Sequence, residues 1–243
     1  MKAMILAAGL GTRLRPLTND LPKPLLPVAS RPLIHYNMLL LKKYGITDVV
    51  INLHYHADKL RKALGDGSEL GMRITYSEEP EILGTGGGLK KVCAFFSNRS
   101  FILINGDILV DINLDKVVEY HLKKKAIATM VLREDPEAER WGAIETDSQG
   151  RIHRILGKGD WDGERLSKYM FTGIHVLESR IFGYIPGSGF STIIDAYTEM
   201  VKKGERMFGY IMTGYWMDLG TPERYQKAHQ EMGKGLLKFN YLR

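Results

Sequence analysis

Two glycines, an arginine and a lysine near the amino terminus have the types and the spacing to hold a bulky anion. Gly9 and Gly11 follow an apolar run, Met4-Ile5-Leu6-Ala7-Ala8, and stand ahead of Arg13 and Lys23. The glycines let backbone amides approach closely, while Arg13 adds a planar fork of donors and Lys23 a mobile point charge. Together they form a phosphate cradle. The run before them reads as a buried strand, because it is short, continuously apolar and ended by glycine. Behind them, Pro16, Pro22, Pro24 and Pro27 each remove a backbone donor and push their predecessors out of the helical region. A long extended loop is therefore expected there, not a helix.

Two common glycine loops do not fit. A dinucleotide-binding loop needs a third glycine opening a helix, but Leu14 stands at that position and Pro16 follows. A Walker A loop needs Gly-Lys-Ser/Thr, which Gly11-Thr12-Arg13 does not supply. An ordinary glycine turn between strand and helix is the plainer alternative, and the cations and prolines behind it speak against that.

The string LAAGLGTRLRPLT followed by PKPLLPV resembles the signature of the sugar-1-phosphate nucleotidyltransferases, also called NDP-sugar pyrophosphorylases. Within that family the chain is similar to small N-acetylmuramate or glucose 1-phosphate uridylyltransferases and to mannose or heptose 1-phosphate guanylyltransferases. The resemblance implies that Leu6, Ala7, Ala8, Gly9, Gly11 and Thr12 wrap a triphosphate. It also implies that Arg13 and Lys23 are catalytic, stabilising charge on the phosphates during transfer. Gly84, Thr85, Gly86 and Asn105 complete the implied nucleotide site.

Gly84, Gly86, Gly87 and Gly88 put four glycines in five positions, just before an apolar-periodic segment at 89–96. Such a run costs conformational entropy, so close approach by a flat ligand is one reading and a flexible hinge the other. Asp107 follows the apolar strand 101–105 and Gly106. A turn residue would fit there, but so would a ligand for a hard divalent cation that offsets polyphosphate charge. The resemblance assigns Asp107 to metal binding. It assigns Asp218 likewise, in the string W-x-D-x-G-T-P-E, and so implies Mg²⁺ as cofactor. Gly142, Lys158 and Gly173 match the family's sugar-phosphate contacts. Gly157, however, stands where the family has glutamate, which puts the usual hexose contacts in doubt and leaves Lys158 open to being an ordinary surface residue.

The chain has 243 residues, 44% of them hydrophobic, which is enough for one good-sized core. A single domain is expected over 1–243, with a small β-rich acceptor region inserted at about 141–177. No carboxy-terminal β-helix repeats are present. One cysteine, Cys93, excludes an internal disulfide framework and reads as a small buried hydrophobe. No leader-like segment or long apolar span appears, so a cytoplasmic protein is expected, away from membranes. The net charge of +6 is spread out, its only compact run being Lys123-Lys124-Lys125. That pattern argues against nucleic acid and for mild steering of anionic substrates. His54 and His56 share one strand face but lack a third metal ligand nearby.

Helices are expected at 31–44, 58–64, 113–125 and 192–203. Strands are expected at 48–53, 72–76, 101–105, 126–131, 142–146, 151–156, 170–177 and 206–213, with a turn at 147–150. The early βαβ rhythm predicts an α/β fold. The resemblance specifies a three-layer α/β/α sandwich on a mixed, mainly parallel sheet, the Rossmann-like nucleotidyltransferase fold. The implied reaction joins an NTP and a sugar 1-phosphate into an NDP-sugar with release of pyrophosphate, UTP being favoured and GTP next. Two alternatives stand beside it: a cytidylyltransferase acting on a non-sugar phosphate such as phosphocholine, and a nucleotide-sensing subunit without turnover. The sequence leaves open whether copies of the chain form a homo-oligomer.

Overall fold

The computed structural model describes residues 1–242. In chain order the strands are β1 (Lys2–Leu6), β2 (Pro27–Val28), β3 (Arg31–Pro32), β4 (Asp48–Leu53), β5 (Arg73–Glu78), β6 (Phe101–Asn105) and β7 (Ile108–Val110). They continue with β8 (Ala128–Arg133), β9 (Ile144–Thr146), β10 (Ile152–Ile155), β11 (Ser167–Leu177), β12 (Met207–Ile211) and β13 (Trp216–Asp218). The helices are α1 (Leu33–Lys43), α2 (Ala57–Leu64), α3 (Gly84–Lys91), α4 (Leu114–Lys124), α5 (Ala138–Trp141), α6 (Ile193–Lys202) and α7 (Pro222–Gly233). The sheet is mixed and mainly parallel, with helices on both sides, as the βαβ rhythm predicts. No helix among the described residues is long and apolar enough to cross a membrane.

The chain divides into two compact units. The first comprises Met1–Ile82, Ile104–Ile112 and the chain from Gly214 onward. Its framework is β1 and β5 paired in parallel on either side of β4. Val49 to Leu53 are buried because both faces of β4 are covered, hence the unbroken apolar run. A small antiparallel pair, β7 with β13, lies in the same unit. Thr221 caps α7 by accepting from the Arg224 amide, and Pro222 takes the first helical position, where no amide partner is needed.

The second unit comprises Leu83–Leu103 and Asn113–Thr213. Here β8 pairs in parallel with β12 and antiparallel with β11, while β9 pairs antiparallel with β10 and β11. Asn113 caps α4, and a reciprocal Thr192–Asp195 capping box starts α6. The turn at 147–150 forms as expected, with the Gly150 amide donating to the Asp147 carbonyl.

Several local expectations change. The first strand stops at Leu6 because the Ala7 amide turns aside to the Asn52 side chain. The proline-rich stretch is not extended throughout: Thr12–Leu14 and Lys23–Leu25 are 3₁₀ turns, and Pro24 is tolerated because first-turn amides need no helical partner. The glycine string at 84–88 is neither loop nor hinge but the start of α3. The periodic segment after it ends in a 3₁₀ turn at Cys93–Phe96, where Phe96 takes the buried side and Cys93 is exposed. β7 and α5 are too short to show a period, so the sequence did not announce them.

Candidate active site

In the first unit the cradle begins where β1 ends. Asn52 lies on the adjacent strand β4, and its Oδ1 accepts from the Ala7 amide at 2.8 Å while its Nδ2 donates to Glu79 Oε1 at 2.8 Å. This buried chain of bonds fixes the direction in which the backbone leaves the sheet. At the far side Thr18, fully buried, donates its hydroxyl to the Gly11 carbonyl at 2.8 Å. Gly11 itself sits at φ +65°, which favours glycine. Between these anchors the amides of Ala8, Gly9, Leu10 and Gly11 donate to no acceptor among the described residues. Four consecutive donors are thus left for an anion. Space is available as well: a Cβ on Gly9 would meet nothing within 4 Å.

The two aspartates come to the same unit by strand pairing. Gly106 packs its Cα against the end of β1, where a Cβ would lie 2.7 Å from the Leu6 carbonyl oxygen, so only glycine fits and Asp107 emerges next to it. Asp218 ends β13 opposite Ile108 on β7, and the Leu219 amide donates to the Asp107 carbonyl at 3.0 Å. The antiparallel register therefore carries both carboxylates to one end of the β7–β13 pair. Lys23 Nζ lies 2.5 Å from Asp107 Oδ2, and Lys23 is only 8% exposed. Asp218 Oδ1 accepts from the Gly220 amide at 2.9 Å and from Arg224 Nη1 at 3.0 Å. A Cβ on Gly220 would lie 2.5 Å from Asp218 Oδ1 and 2.9 Å from Arg13 Nη2, so the Arg13 guanidinium lies against this glycine beside Asp218. The first unit thus gathers Arg13, Lys23, Asp107 and Asp218. Asn105 is held there through its carbonyl, which accepts from Asn37 Nδ2 at 3.3 Å.

The donor set suits a hard divalent cation. Asp107 Oδ1 and Asp218 Oδ2 accept no protein hydrogen bond among the described residues. Mg²⁺ characteristically takes one or two carboxylates and completes its octahedron with water and substrate phosphate. No cluster of three or more metal-ligating side chains exists among the described residues, so an all-protein cage is not built here. His54 and His56 are engaged by the carbonyls of Glu79 and Asn19.

The second unit holds Gly84, Thr85, Gly86, Gly142, Lys158 and Gly173. The glycines of α3 answer to the protein itself. A Cβ on Gly84 would lie 2.5 Å from the Ser191 carbonyl, one on Gly86 2.8 Å from Ser191 Oγ, and one on Gly87 2.4 Å from the Gly189 carbonyl. The Gly86 and Gly87 amides donate to the Ser191 carbonyl, and Thr85 Oγ1 accepts from the Ile193 amide at the start of α6. Close helix-to-backbone packing demands that these positions stay glycine. Gly142, at φ +86°, is covered by Leu156, whose Cδ2 lies 1.9 Å from where a Cβ would stand. Lys158 is exposed in a tight turn bonded both ways to Ile155. Gly173, at φ +85°, marks the register shift in β11 between Phe171 and His175.

Sequence reasoning missed Asn52, Thr18, Gly220 and Arg224. Asn52 carried a signal, an amide inside the apolar run 49–53 that needs a buried partner. The other three have meaning only once distant segments meet.

A profile of the nucleotidyl transferase family matches residues 2–235. The chain is 34% identical, over 94% of its length, to UTP–glucose-1-phosphate uridylyltransferase of Synechocystis sp.. It is 30% identical, over 96%, to mannose-1-phosphate guanylyltransferase of Mycobacterium tuberculosis. It spans only 62% and 65% of those two relatives. N-acetylmuramate alpha-1-phosphate uridylyltransferase of Neisseria meningitidis is 34% identical, with 96% of this chain and 99% of the relative covered. A crystal structure of a putative glucose-1-phosphate thymidylyltransferase from Bacillus anthracis superposes with a TM-score of 0.84 at 29% identity, covering 99% of this chain and 98% of that one. Loop, carboxylate pair and similarity coincide along nearly the whole sequence, and the chain belongs to the nucleotidyl transferase family.

Proposed function

We propose that the protein transfers a nucleotidyl group from an NTP, UTP before GTP, to a sugar 1-phosphate, releasing pyrophosphate. The observation that carries this reading is the run of four amides at Ala8–Gly11 that find no acceptor among the described residues, set in one unit with Arg13, Lys23 and the Asp107–Asp218 pair. Names of relatives add support, since uridylyltransferases and guanylyltransferases of sugar 1-phosphates both stand among them.

In this reaction a phosphate oxygen of the sugar phosphate forms a bond to the α-phosphorus in line with the bond to the bridging oxygen, which breaks and leaves with its electrons as pyrophosphate. The attacking oxygen is already anionic near neutral pH, so no general base is needed. The chain's work is positioning and charge neutralisation. Free amides of the cradle bind the phosphates, the Arg13 fork holds two oxygens at fixed separation, and Lys23 offsets charge that grows in the transition state. A divalent cation on Asp107 and Asp218 would supply Lewis-acid neutralisation of the triphosphate.

The test is a matrix of four NTPs against sugar 1-phosphates and phosphocholine, read by pyrophosphate release. Release with UTP and a sugar 1-phosphate, and none with either substrate alone, is expected. Release only with CTP and phosphocholine would move the protein to the acceptor class that the missing glutamate at Gly157 leaves room for. No release with any pair, while nucleotide binds, would leave a sensing subunit.

A further inference from the structure

We infer that Lys23 occupies the metal's place on Asp107 in the nucleotide-free protein and leaves it when a triphosphate arrives, so that nucleotide binding itself assembles the cation site. The inference rests on the proposed roles of Lys23 and Asp107. Lys23 Nζ lies 2.5 Å from Asp107 Oδ2, and that contact is the only hydrogen bond of the Asp107 side chain among the described residues. A divalent cation placed on the same oxygen would meet an ammonium at contact distance, and one placed on the open Oδ1 would face the same charge across the carboxylate, so in either position the two repel.

Two features make the exchange reachable. The Lys23 stem passes the cradle, its Cβ standing 3.3 Å from where a Cβ of Gly11 would be. From that stem a four-carbon chain with free rotation can aim its charge at the carboxylate or at a phosphate held by the Ala8–Gly11 amides. Moreover, Lys23 is largely buried, so its charge demands a partner, and a phosphate is the replacement that lets Asp107 go. Asp218 likewise keeps one oxygen, Oδ2, open, but its Oδ1 accepts from Arg224 and from the Gly220 amide together, so a backbone bond holds that carboxylate in place whatever its cation does. Lys23 therefore has two successive partners, and by linkage whatever the triphosphate adds to cation affinity the cation adds to triphosphate affinity.

The experiment titrates the full chain, free of nucleotide, with Mn²⁺ and counts free ion by electron paramagnetic resonance. Lys23→Met keeps the length of the stem and removes the charge. It is expected to bind Mn²⁺ on the order of tenfold more tightly than wild type, although it has lost a group needed for transfer. Lys23→Gln gives a second reading should the methionine variant not fold, and Asp107→Asn should abolish the gain in either background. Unchanged or weaker Mn²⁺ binding in folded Lys23 variants, with Asp107→Asn still abolishing it, overturns the inference and leaves the metal site standing. Mn²⁺ affinity of Lys23→Met that is unchanged when Asp107→Asn is added removes the metal site and the inference with it.

Discussion

Gly220→Ala adds one methyl group at the point where Arg13 and Asp218 meet. The backbone there is outside the left-handed region, so alanine brings no conformational strain, and any effect must come from what the methyl touches. An ordinary contact of 3.4 Å requires the Asp218 oxygen, now 2.5 Å from the new Cβ, to retreat by about 0.9 Å and Arg13 Nη2, at 2.9 Å, by about 0.5 Å. Both belong to the proposed charge-neutralising set, and the retreating oxygen also bends its bonds to the Gly220 amide and Arg224. A misplacement of about 1 Å costs roughly 10²-fold in rate, about 2.7 kcal/mol of transition-state stabilisation. Overpacking at this buried position should cost about 1–3 kcal/mol of stability. The assay is pyrophosphate release at saturating substrate beside a thermal melt. Gly9→Ala is the companion: its methyl meets no protein atom within 4 Å, so it should raise KM for nucleotide more than it lowers kcat. A Gly220→Ala enzyme that melts normally and keeps kcat within about threefold of wild type would refute the placement of Asp218 and Arg13 at the reacting phosphates.

Asp107→Asn and Asp218→Asn should each lose most activity, and the double variant should be little worse than the poorer single, because one cation is lost in every case; multiplied losses would indicate separate roles. Gly87→Ala drives a methyl to 2.4 Å from the Gly189 carbonyl and should destabilise the protein by about 1–3 kcal/mol in urea melts, whereas Gly183→Ala, open on all sides within 4 Å, should be neutral. His175 is wholly buried with its Nδ1 2.5 Å from the Tyr197 hydroxyl, and burial lowers its pKa from 6.5 to about 3. Its unfolded form takes up a proton below pH 6.5 while its folded form does not, so stability falls as pH drops from about 6.5 toward 3, by about 2 kcal/mol at pH 5. Comparing the pH dependence of melts for wild type and His175→Gln checks this, and parallel curves would contradict it.

What the sequence by itself determined is what local spacing controls. The alternation of apolar runs and helical periods specified a mainly parallel α/β sheet, and the order glycine, glycine, arginine, lysine marked the loop just after the first strand for the anion-binding role proposed above. Each of these follows from neighbours in the chain, whose side-chain faces and backbone freedom are decided within a few residues. Tertiary structure alone decided the rest. Asp107 and Asp218 meet because β7 and β13 pair in one register, a property of neither strand alone. That Gly84, Gly86 and Gly87 cannot carry a side chain is set by the segment at 189–192 lying on them, a partner about a hundred residues away. Cys93 read as buried until Phe96 took the inner side of their shared turn. Whether a residue needs to be small, charged or hidden depends on what packs against it, and here those partners lie far along the chain, where no periodicity reaches.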